Sequence, residues 1–234
     1  MRELLTNYGP VGCLWFDGHW DAACTHAYGK EMYSYVRNLQ PNTLIGNRIN
    51  QKATADGPYC TWTGSFFNGA ADPVGDYQAR EVDLGKYYTG KAWDCCFSLC
   101  GVSSKWSWVP PLVPRPLSEV FGWLVQCIRR DGSMLLGVGP RADGTIDPDS
   151  SARLLDVGGW MTSNGEAVYG TRGGPYLPGD SCVSTRKGNK VFVLVTSGMV
   201  IEPDYYAAAL ARVTVTIPRP LAAKGFARLA VSIP

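Results

Sequence analysis

The segment Leu14-Trp15-Phe16-Asp17-Gly18-His19-Trp20-Asp21 sets two carboxylates among three large aromatic rings, directly after the apolar run VGCL. Asp-Gly alone suffices for a turn. The rings around it point to a site. A carboxylate at the end of an apolar strand can serve as nucleophile, general acid or general base. Tryptophan beside it suits the apolar face of a pyranose ring. A second candidate lies in TLIGNRI, whose end carries Asn47 and Arg48. A guanidinium fork there can hold ring oxygens and hydroxyls, or pair with a carboxylate. Asp76 and Glu81 follow in GDYQARE, and Trp93, Trp106 and Trp108 suit either a rim or a core.

These side chains need a scaffold. Val11 to Phe16 reads as a short buried strand, 27–39 as a helix closed by Pro41, and 43–49 as the next strand. Residues 50–80 read as a long loop, a length that is usually functional. A strand is expected near 93–99, a helix over 117–130, a strand over 134–139 and a helix over 148–163. From 165 the segment GEAVYGTRGGPY reads as loop, and KVFVLVT, ARVTVTI and FARLAVSI as strands. Alternating strands and helices predict parallel β/α units, where reactive residues sit at strand ends. The tail predicts a small antiparallel β domain.

Composition narrows the function classes. With 234 residues, 45% apolar and 18% charged, the chain can bury one large core or two modest ones. A net charge of +2 without a basic block gives no case for nucleic-acid binding. No apolar run is long enough for a membrane span, and MRELLTNYGP has no signal-peptide core. The eight cysteines lack zinc spacing; they read as buried thiols, with one or two disulfides left open.

The segment RELLTNYGPVGCLWFDGHWD resembles the nucleophile segment of the α-L-fucosidases of glycoside hydrolase family 29. GDYQARE is similar to that family's acid/base segment. WSWVPP, LVQCIRRDGSMLLGVGPRADGTI and NGEAVYGTRGGPY resemble its later blocks in the same order. Two departures stand out: Gly137 where the family usually has Asn, and Asp94 where Glu is usual. The family's chains begin far upstream. The resemblance therefore implies an α/β fold: the C-terminal half of a (β/α)8 barrel over 1–163, then a small antiparallel β-sandwich over 164–234. It implies retaining hydrolysis of terminal α-L-fucose from oligosaccharides or glycoproteins, without metal or cofactor. Asp17 takes the nucleophile position. Glu81 takes the acid/base position, with Asp76 as its rival. Arg48, Trp15, His19 and Trp93 are expected to contact fucose. The alternative of a different class is a carbohydrate-binding remnant without turnover, or a catalytically inactive gene fragment that does not fold alone. A half barrel has two open edges, so the isolated chain is expected to self-associate and to lack activity.

Overall fold

The computed structural model describes residues 1–19, 21–49, 74–82, 92–101, 106–174, 182–195 and 227–232. By their contacts they fall into two units, Met1–Cys95 and Cys96–Pro234. The fold is mixed α/β.

The first unit opens with helix α1 (Arg2–Asn7), strand β1 (Cys13–Leu14), helix α2 (His26–Leu39) and strand β2 (Leu44–Ile45). Thr25 starts α2 by accepting a hydrogen bond from the Tyr28 backbone N–H. Met32, Tyr33 and Val36 line one face of the helix and pack with Leu5, Leu14, Ile45, Ile49 and Val74. β1 and β2 pair in parallel, Cys13 with Leu44 and Leu14 with Ile45. Gly46 bridges in parallel to Tyr77, just ahead of β3 (Gln78–Glu81). β3 lies beside β4 (Trp93–Ser98), which crosses from the first unit into the second.

In the second unit, β5 (Ser133–Gly137) continues from β4, with the Leu99 N–H donating to the Gly137 carbonyl at 2.9 Å. Helix α3 (Leu117–Arg129) is buried almost all round. Its Phe121, Leu124, Val125 and Ile128 form a core with Val183 and Leu194. Helix α4 (Pro148–Asn164) starts at the N-cap Asp147 and ends in a 3-10 turn, Gly165–Ala167. Four antiparallel strands then form one sheet in chain order: β6 (Arg172–Gly173), β7 (Cys182–Lys187), β8 (Lys190–Val195) and β9 (Ala227–Ser232). Asp131 ties this sheet to the end of α3. It accepts from the Gly173 N–H at 2.9 Å and pairs with Arg172. Among the described residues, no helix is long and apolar enough to cross a membrane.

The structure departs from the sequence reading at three places. Gln78–Glu81, inside the expected loop, is a strand. Arg172–Gly173, also expected as loop, is an edge strand, and Cys182–Lys187 adds a strand that was not expected. All three are polar stretches, and polarity reads as exposure when packing is unknown. Residues 50–73 of the expected loop and the expected strand ARVTVTI (211–217) lie outside the described residues.

Candidate active site

Parallel pairing sets the register of the site. Leu14 faces Ile45, so Asp17 and Arg48, each three residues further on, leave their strands at the same end. Glu81, the last residue of β3, joins them there. The Arg48 guanidinium is the hub. Its NH1 and NH2 each lie 3.0 Å from Glu81 Oε2, and NH1 lies 3.4 Å from Asp17 Oδ1. Arg48 is only 1% exposed, whereas the Asp17 side chain is 58% exposed and that of Glu81 24%. A buried cation thus presents two accessible carboxylates.

The support for this hub is local. Arg48 Nε donates to the Ala79 carbonyl at 3.2 Å, and Asn47 Oδ1 accepts from the Ala79 N–H at 2.8 Å. Two adjacent side chains from the end of β2 clamp β3 two residues before Glu81. The Trp15 ring covers the guanidinium, with Arg48 Cζ 4.7 Å from its centroid. Gly18 turns the chain after Asp17 with φ +89°, which disfavours any side chain. Asp21, in the next turn, accepts from the Ala23 N–H.

His19 is buried beside this cluster. Burial lowers its imidazole below the ordinary histidine value and the Arg48 charge lowers it further, against the pull of Asp17 and Glu81. Trp93 is also buried, at 2% exposure on β4. Asp76 is engaged elsewhere. It accepts from Tyr33 Oη at 2.7 Å and the Ile45 N–H at 2.8 Å, and pairs with Arg37, locking α2 to β2. Burial raises its pKa, but the Tyr33 and Arg37 contacts and the Ile45 N–H outweigh it, so the carboxyl is held below its ordinary value.

Two residues outside the expected set belong to this neighbourhood. Burial pushes the Asp94 carboxyl up to about 6, against the Trp15 indole, the Arg48 charge and the Arg80 backbone N–H. The Tyr77 phenol is raised by burial, by its contact with Cys13 Sγ at 3.2 Å and by the Asp94 charge. The departure from the family's usual Glu was the one sequence signal at Asp94. In the second unit, an added Cβ at Gly137 would come 3.1 Å from the Trp106 ring. The Asn usual in the family would need the Trp106 ring to shift by a few tenths of an ångström.

The sequence profile of the alpha-L-fucosidase family matches residues 1–166. The chain belongs to this family. It is 26% identical over 178 residues to the tissue alpha-L-fucosidase of Homo sapiens, a match covering 74% of this chain and 34% of that protein. Among solved structures it resembles alpha-L-fucosidase isoenzyme 1 from Paenibacillus thiaminolyticus, with a TM-score of 0.68 and 30% identity over 83% of this chain and 44% of that one. A Bacteroides thetaiotaomicron GH29 alpha-L-fucosidase, trapped as a covalent intermediate with 2-fluoro-fucosyl fluoride, shares the fold at a TM-score of 0.68 and 23% identity. The chain spans about a third of the length of the curated relatives it matches.

Proposed function

We propose that this chain carries both catalytic carboxylates of a retaining α-L-fucosidase acting on fucosylated oligosaccharides or glycoproteins. Asp17 is the nucleophile and Glu81 the acid/base. The observation that carries this reading is the shared guanidinium: Asp17 and Glu81 both contact Arg48 NH1. Their oxygens can be no further apart than those two contacts laid end to end. That agrees with the roughly 5–5.5 Å separation of retaining enzymes better than with the roughly 6.5–9.5 Å of inverting ones. The engagement of Asp76 with Tyr33, Arg37 and Ile45 favours Glu81 as the acid.

In the first step an Asp17 oxygen bonds to the anomeric carbon while the glycosidic bond breaks, and Glu81 gives its proton to the departing oxygen. In the second, Glu81 takes a proton from water, the water oxygen bonds to the anomeric carbon, and Asp17 leaves. Arg48 holds the two groups in place. Trp15 and His19 border the sugar, and Trp93 backs it. No step calls for a metal or cofactor. The α/β part, residues 1–163, is read as the C-terminal half of a (β/α)8 barrel, and 164–234 as β-sandwich. The parallel β1–β2 pair and the antiparallel β6–β9 sheet support that reading.

The test uses an active protein containing this segment. Treatment with 2-fluoro-fucosyl fluoride should label the peptide bearing Asp17. Asp17→Gly should abolish labelling and nearly all turnover of an aryl α-L-fucoside, and azide should restore part of the turnover by occupying the vacated space. A label on another residue, or an Asp17→Gly variant keeping over about a tenth of the rate, overturns the assignment.

A further inference from the structure

Arg48 acts on a third carboxylate that the double displacement does not use. Asp94 stands on β4, immediately after Trp93, and its Oδ1 is buried without a hydrogen-bond partner among the described residues. The Trp15 indole N–H is in the same condition. These two unmet groups are neighbours, since the indole acts on the Asp94 carboxyl. Leaving either one unsatisfied in the interior is costly. The groups around Asp94 come from three segments: Trp15 after β1, Arg48 after β2, and Tyr77 and Arg80 at β3. The Trp15 ring also packs on Arg48. Asp94, the Trp15 ring and Arg48 thus form one cluster, and Arg48 contacts Asp17 and Glu81.

We propose that Asp94 is a positioning residue: in its ionised form it accepts the Trp15 indole N–H, fixes that ring on Arg48, and so sets the placement of Asp17 and Glu81. Protonation removes the Asp94 charge from beside Arg48 and weakens the hold on the indole. Burial places this change near pH 6. Tyr77, with its raised phenol, stays neutral throughout that range. His19, lowered by burial and by the Arg48 charge, is a titratable neighbour of Arg48 besides Asp17 and Glu81, so the test must separate it from Asp94. The pairing rests on two buried groups without partners among the described residues and on the Trp15 ring over Arg48; its effect on turnover rests on the fucosidase reading.

The decisive measurement is the 15N–1H resonance of the Trp15 indole, identified by its loss in Trp15→Phe and followed from about pH 4.5 to 8. It should shift with a midpoint of about 6. The shift should persist in His19→Gln, vanish in Asp94→Asn, and return at a displaced midpoint in Asp94→Glu. With an aryl α-L-fucoside, Asp94→Asn should lower kcat about 100-fold, lose the acid limb of the pH profile and leave KM little changed. Asp94→Glu should recover most of the rate. An indole that does not titrate, or titrates equally in Asp94→Asn, overturns the positioning role, with or without turnover. An Asp94-dependent titration in a protein that neither turns over fucoside nor accepts the fluorosugar label supports the contact and overturns the fucosidase reading instead.

Discussion

Arg48 gives each carboxylate at the site a different degree of access, and that decides what substitution should do. Glu81→Ala removes a proton donor, so it should slow substrates with poor leaving groups far more than activated aryl fucosides. Asp76→Ala should slow both alike, because Asp76 holds α2 against β2. Comparing kcat/KM across aryl leaving groups separates the two; a leaving-group dependence in Asp76→Ala alone would exchange their roles. Asp94 makes a different prediction. Its carboxyl, ordinarily at 3.8, is raised to about 6. Between those values the folded protein keeps a proton that the unfolded chain has released. The stability from this group is therefore full below the lower value and lost as pH rises through the upper one. Asp94→Asn should be more stable than the parent at pH 7 by about 3 kcal/mol and no more stable at pH 4. Thermal melts at the two pH values check this. Greater stability with lower activity is the usual mark of a charge kept for function.

Short strands carry the site, and their ends matter more than their lengths. β1 and β2 are two residues each, yet their parallel register fixes Asp17 beside Arg48. The sequence made those two ends legible, because VGCLWF and TLIGN are apolar runs that stop at polar residues. β3 was not legible. Gln78 and Arg80 are buried in it, and Asn47, a polar partner from another strand, supports its backbone. A single sequence does not show that pairing. Glu81 was reached by family resemblance, while the link between Asp94 and Trp15 depends on burial that the residue types do not announce. At this scale the testable contact is Asp76 with Arg37. The carboxyl is held below its ordinary value, so its contribution is present at neutral pH and lost as pH falls through the lowered value. Asp76→Asn should cost about 2–3 kcal/mol at pH 7, a gap that closes in acid. Urea titrations at both pH values measure it.

At the scale of the chain, side chains on both sides of the expected joint at 163–164 pack together. Val183 and Leu194, beyond it, share a core with Phe121, Leu124, Val125 and Ile128, before it. Truncation after Asn164 should therefore expose the α3 face and give a protein that binds a hydrophobic dye and melts without cooperativity. A cooperative melt of the shortened chain would establish an independent boundary there. Between the two contact-defined units, the division at Cys95 and Cys96 falls inside β4 rather than in a linker, and both residues are buried. That placement bears on gene recombination. A crossover between related genes at this point would join two halves of one strand, each shaped by selection against a different set of neighbours. The exposed turn around Asp143 and Gly144 offers a better joint, because exchange there leaves every strand with a single parent.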